Sequence, residues 1–99
     1  ACKASVDMMT KSLAKELAKY SIRVNSVNPG IVNTGFQVHN NLICEKDYPK
    51  FLTDISDTYP LGVGKVSDVA NLICFLISDK AKWITGSNYI IDGGRSVNI

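Results

Sequence analysis

Residues 25–35 read NSVNPGIVNTG, and the reading of this stretch decides what the rest of the chain is. A short β-prone run begins a little earlier, at Ile22 and Val24, and reaches Val27 before Pro29 and Gly30 interrupt it. Proline has no N–H to give to a sheet ladder, so the spacing predicts a strand of about six residues that stops at the turn. Thr34 follows four residues after the glycine. A strand broken by Pro-Gly and followed by a hydroxyl is a backbone opened towards something, and the flanking segments indicate the kind of domain that holds it.

Upstream, residues 1–20 place Val6, Met9, Leu13 and Leu17 three and four apart, the spacing of one helical face, while Asp7, Lys11 and Lys15 line another. Ala1, Ser5, Met8 and Ser12 form a second stripe of small or soft residues, read as half-buried surface inside one subunit, with contact to a partner helix as the alternative. Downstream, Val32 to Pro60 is a long connection with a short helix expected around Glu45 to Thr58, carrying Tyr48, Phe51, Leu52 and Ile55 as apolar positions. Connections of this length are lids, binding segments or disorder. The stretch SDVANLICFLISD, residues 67–79, is helical by spacing, with Val69, Leu72, Ile73, Leu76 and Ile77 on one face and Ser67 as the expected N-cap. WITGSNYIIDGG, residues 83–94, gives a short strand at about Asn88 to Ile91 and a Gly-Gly turn suited to positive φ.

Helix, strand, long loop, helix, strand is the order of a βαβ unit, whose strands run parallel through a right-handed crossover. Parallel sheets are covered on both faces and need several strands, yet only two strands are legible here, and two apolar helix faces lack a partner. The expectation is the end of a larger α/β domain, or a truncated form of one. The chain begins on Ala1 and not on methionine, which leaves a cut and a biological start both open.

Composition narrows the class. The chain has 99 residues, 45% hydrophobic and 20% charged, with a formal net charge of +2. Its basic residues are scattered among the acidic ones, which gives no concentrated positive field for nucleic acid. Cys2, Cys44 and Cys74 lie far apart with no C-x-x-C spacing, which predicts neither a disulfide framework nor a zinc site and fits a reducing, cytoplasmic setting. The longest apolar run, VANLICFLI, is interrupted by Asn71 and is far shorter than the roughly 20 residues a membrane span requires. No secretory h-region opens the chain.

KASVDM at residues 3–8, IRVNSVNPGIVNT at 22–34, PLG at 60–62 and ITGSNYIIDGG at 84–94 occur in an order and spacing that resemble the C-terminal part of the short-chain dehydrogenase/reductase family, near the 3-oxoacyl-carrier-protein reductase type. The resemblance covers nearly the whole chain. It implies the C-terminal part of a doubly wound, parallel-sheet, Rossmann-type three-layer domain over residues 1–99, with a substrate loop at about 32–60. It also implies an NAD- or NADP-dependent oxidoreductase that moves hydride between a nicotinamide cofactor and a small carbonyl or alcohol substrate. The family's Tyr-x-x-x-Lys pair lies one helical turn apart. The family's lysine binds the nicotinamide ribose and lowers the pKa of the tyrosine that exchanges the proton, and the resemblance implies that role for Lys3, which matches it. By that spacing the tyrosine falls two residues before Ala1, and the family's serine, asparagine and Gly-rich phosphate turn also fall upstream. The isolated chain is therefore expected to be inactive.

The same resemblance assigns Pro29 and Gly30 to a close approach of main chain to nicotinamide, Ile31 to main-chain contacts with the carboxamide, and Thr34 to a cofactor hydroxyl contact. Phe36, Val38, Leu42 and Phe51 become the apolar lining of the substrate loop. The family forms dimers and tetramers through the helix that carries Lys3 and through the last helix and strand, so a homo-oligomer is expected. Glycine is common in the family at the position of Ser21, and proline at that of Val66. A truncated, non-catalytic homologue acting in assembly is the alternative.

Other residues carry plainer readings. Thr34 also suits a turn cap. GVG at Gly62 to Gly64 has no third glycine where the dinucleotide fingerprint needs one and is read as an ordinary turn, which leaves NAD against NADP open. His39 has no acid or nucleophile near it in sequence and is read as a surface histidine. Asp92 is read as a turn residue that bonds its own backbone. Glu45, Asp47, Asp54 and Asp57 form a solvated acidic face, not a metal site.

Overall fold

The computed structural model describes residues 2–33 and 44–97. Helix α1 spans Cys2–Leu17, strand β1 Ser26–Pro29, helix α2 Tyr48–Ser56, helix α3 Val66–Ile77 and strand β2 Asn88–Ile91. The chain divides into two compact units, one of Ala1–Asn28 with Ala70–Ile90, the other of Pro29–Val69 with Ile91–Ile99. The strands pair in a two-stranded sheet. Ser26 N–H bonds the Ser87 carbonyl at 3.0 Å and Gly30 N–H bonds that of Ile91 at 2.9 Å. The sequence offset is the same in both bonds, which makes the pairing parallel.

In the first unit, α1 closes through a 3-10 turn at Ala18–Tyr20, and Ser21 takes φ 59°, a left-handed conformation that glycine adopts with least strain. The packed face of α1 differs from the expected one. Thr10 and Ala14 are buried and Asp7, Leu13 and Leu17 half-buried, whereas Val6 and Met9 are exposed. Small residues win because main chain comes close: a Cβ added to Gly86 would stand 3.4 Å from that of Ala14. Thr10 satisfies its own hydroxyl by donating to the Val6 carbonyl at 2.8 Å. Ser5, Met8 and Ser12 lie exposed.

The strand begins at Ser26 and not at Ile22 as expected, and it includes Pro29. Ahead of it the backbone is satisfied otherwise, Ile22 N–H by the Leu17 carbonyl at 3.3 Å and Val24 N–H by Thr85 Oγ1 at 3.1 Å. Asn88 Oδ1 accepts from both Ser26 Oγ (2.8 Å) and Asn28 Nδ2 (2.7 Å), a side-chain tie between the two strands. Arg23 reaches the end of α3, where Nη1 donates to the Leu76 carbonyl at 2.7 Å and Nη2 to that of Ser78 at 3.3 Å.

In the second unit, a 3-10 turn at Glu45–Asp47 leads into α2, which has proline in its first turn as helix starts prefer. The start of α3 corrects the cap assignment. Ser67 lies inside the helix, and the cap N–H, that of Lys65, is taken by Asp68 Oδ2 at 2.8 Å. An acceptor three residues into the helix reaches back to the cap N–H, which is half of a capping box. Asp92 performs the local role expected of it, accepting from Gly94 N–H and Ser96 N–H, each at 3.0 Å. Gly93 and Gly94 have φ 61° and 90°.

Candidate functional site

The Pro-Gly turn closes β1 in the second unit. Gly30 is constrained by its own chain: a Cβ there would stand 2.9 Å from Asp92 Cβ and 2.9 Å from Tyr59 Cε2, closer than packed atoms tolerate. Ile31 has both main-chain groups engaged, its N–H by the Tyr59 hydroxyl at 3.1 Å and its carbonyl by Gly64 N–H at 3.2 Å. Asn33 N–H in turn bonds the Gly64 carbonyl at 2.9 Å.

Those two Gly64 bonds make Val32 the partner of Gly64 in an isolated parallel bridge. In such a bridge one residue bonds the two neighbours of the other, so the N–H and C=O of Val32 point to the opposite edge. Side by side at the carboxyl end of a parallel strand, they form a donor and acceptor pair of the kind a primary amide matches. Val32 is absent from the residues singled out by sequence. The signal that would have found it is the pairing of the GVG turn with the Pro-Gly turn, a contact between residues far apart in the chain.

A cavity of roughly 410 Å³ opens beside the turn, lined by Ile31, Val32, Gly64, Asp68, Ile91 and Asp92 among others. Tyr59 is 7% exposed, and the Arg95 guanidinium carbon lies 5.5 Å from the centre of its ring. The loop helix is tied to the same turn, since Tyr48 Oη donates to Asn33 Oδ1 at 3.1 Å, and Phe51 sits half-buried with its ring centre 6.1 Å from that of Tyr48.

Pro29, Gly30 and Ile31 lie in the second unit, and the main-chain groups of Ile31, expected to contact a carboxamide, are instead both taken up within the chain by Tyr59 and Gly64. Lys3 is exposed on the first turn of α1, in the other unit. Thr34, Phe36, Val38, Leu42 and His39 lie outside the described residues.

Residues 1–96 match the family model described as enoyl-(acyl carrier protein) reductase. Among curated proteins, the 3-oxoacyl-[acyl-carrier-protein] reductase FabG of Thermotoga maritima is 43% identical over 95 residues, which is 95% of this chain and 36% of that protein. The L-xylulose reductase of Caenorhabditis elegans is 41% identical over 99 residues, 99% of this chain and 38% of that protein. The chain therefore spans a little over a third of the length of these relatives. Among solved structures, L-sorbose reductase from Gluconobacter frateurii, complexed with NADPH and L-sorbose, superposes with a TM-score of 0.84 at 31% identity, covering 98% of this chain and 39% of that one. The 4-hydroxyisoleucine dehydrogenase complexed with NADH gives a TM-score of 0.77 at 34% identity, covering 98% of this chain and 38% of that one. The parallel strand that breaks on Pro-Gly, the glycine-closed end of β2 and the match over residues 1–96 agree: the chain belongs to the short-chain dehydrogenase/reductase family.

Proposed function

We propose that residues 1–99 are the C-terminal part of a Rossmann-type oxidoreductase that uses NAD or NADP to interconvert a small carbonyl compound and its alcohol. The observation that carries this reading is the turn at Pro29 to Val32, where a donor and an acceptor stand together at the carboxyl end of a parallel strand. A nicotinamide carboxamide is itself a donor and acceptor pair, so these residues fit the group, and relatives bind NADH or NADPH. When bound, the cofactor supplies or accepts hydride at the carbonyl carbon.

The chain's own residues bind and orient. Val32, with Pro29, Gly30 and Ile31 behind it, sets the plane of the carboxamide, and Thr34 adds a hydroxyl. Lys3 holds the nicotinamide ribose hydroxyls, and its positive charge favours the deprotonated form of a tyrosine one helical turn before it. The loop at about 32–60 takes the substrate, with Phe36, Val38, Leu42 and Phe51 as its apolar lining.

The whole protein is read as a cytoplasmic homo-oligomer, dimer or tetramer, with no nucleic-acid partner. Apolar side chains exposed on α1 and α3 support the assembly, and free Cys44 and Cys74 support a reducing compartment. Among the described residues, no helix is long and apolar enough to cross a membrane. The same exposed helix faces also suit a non-catalytic homologue that acts only in assembly.

The coding sequence upstream of Ala1 separates the two. A tyrosine two residues before Ala1, behind a serine-bearing strand and a Gly-rich turn, is expected, and a start codon adjacent to Ala1 sinks the enzyme. In the complete protein, Lys3→Met is expected to lower kcat about 100-fold or more, the scale of a lost proton-transfer group. Turnover unchanged by that substitution removes Lys3 from the site.

A further inference from the structure

We propose that Tyr59 is a positioning residue for the cofactor-facing turn, its phenol pinning the Ile31 amide so that the main-chain groups of Val32 stay aimed at the ligand. The inference rests on the oxidoreductase reading above and extends it to a residue that lies outside the turn, on the far side of the loop helix.

Tyr59 fills the space that Gly30 leaves open, with Cε2 2.9 Å from where a Cβ would be, and it is 7% exposed. A buried phenol needs a hydrogen-bond partner, and this one takes the Ile31 N–H at 3.1 Å. The opposite edge of the same residue is held by Gly64 N–H on the Ile31 carbonyl at 3.2 Å. Ile31 is therefore clamped from both sides, and the next residue, Val32, inherits a fixed orientation for its N–H and C=O.

The tyrosine is itself held from behind. Arg95 lies over its ring at 5.5 Å, and Leu61 N–H bonds the Gly93 carbonyl at 2.9 Å, tying the residues after Tyr59 to the Gly-Gly turn. Gly94 packs against the Pro60 ring, with a Cβ there meeting Pro60 Cγ at 3.2 Å. The Gly-Gly turn thus acts on the cofactor side of the domain through Tyr59.

Tyr59→Phe in the complete protein removes one oxygen and keeps the ring. The expected result is a rise of about five- to tenfold in the Kd and KM for NADH or NADPH, the scale of an amide left without its acceptor. The larger part of the loss should fall on the cofactor KM and not on kcat, and hydrogen exchange at the Ile31 amide should accelerate. A variant that binds cofactor as tightly as the parent overturns the proposal. So does a variant that fails to fold, or one whose Tm falls with cofactor affinity intact, because either makes Tyr59 a core residue only. A parent protein that binds neither NADH nor NADPH is a different failure, since it removes the oxidoreductase reading itself.

Discussion

Ser21 occupies a conformation that costs a side chain. Its φ of 59° follows the 3-10 turn that ends α1, and its N–H bonds the Ala18 carbonyl at 2.9 Å, so the left-handed residue is what lets the chain leave the helix. A Cβ in that region costs on the order of 1 kcal/mol. Ser21→Gly is therefore expected to raise the unfolding free energy by up to about 1 kcal/mol, the relief of strain being partly offset by the extra freedom glycine gives the unfolded chain. Paired denaturant titrations of the complete protein check it, and an equal or lower midpoint for the glycine variant refutes it. In sequence this position stood out only through the resemblance, as one where the family commonly has glycine, and the left-handed φ supplies the physical reason. The local bonds of Asp92 were legible directly, because an aspartate before Gly-Gly bonds backbone only two and four residues ahead. The constraint on Gly30 was not, since its neighbours Tyr59 and Asp92 are far off in the chain and meet it only after the unit has folded.

At the scale of the element, α3 is set by partners at both ends. Its start is closed by Asp68 reaching back to Lys65 N–H at 2.8 Å. Its end is closed from outside by Arg23, which donates to the carbonyls of Leu76 at 2.7 Å, Ser78 at 3.3 Å and Ile84 at 3.4 Å. A guanidinium at a helix C-terminus satisfies orphan carbonyls and faces the negative end of the dipole. Arg23→Met is expected to cost about 1–2 kcal/mol and to speed hydrogen exchange in the last turn of α3, and Arg23→Lys to recover only part of the loss, because an ammonium lacks the planar fork. Exchange in that turn unaffected by Arg23→Met disproves the cap. The helices themselves were readable from periodicity, as α1, α2 and α3 show. What periodicity misjudged were matters of partnership: Ser67 yielded the cap to Asp68, β1 started late because Thr85 held Val24, and α1 packed through Thr10 and Ala14 instead of Val6 and Met9. Of the candidate site, Pro29 to Ile31 came from a motif, whereas Val32 and Tyr59 became visible only through the Gly64 bridge and the phenol bond.

At the scale of the whole molecule, burial is the deciding quantity. Among the described residues the buried set is Thr10, Ala14, Tyr59, Leu76 and Ala81, and none of these is a large side chain sealed completely from solvent. Trp83 is 98% exposed and Ile77 75%, and Met8, Met9, Phe75 and Ile90 join them in the unit of Ala1–Asn28 and Ala70–Ile90. Apolar area left in water forfeits its stabilisation of about 25 cal/mol per Å², and it also drives association with any surface that covers it. The 99-residue chain produced alone should therefore bind a hydrophobic dye such as ANS and sediment with a concentration-dependent mass. Replacing Met8, Met9 and Ile77 by glutamate should lower both signals, and far-UV circular dichroism should show the helices retained, because these side chains already face solvent. A chain that stays monomeric across the concentration range, excludes the dye and unfolds in one cooperative transition would overturn the expectation, and would mean that a two-stranded parallel sheet with these helices buries enough to stand without further cover.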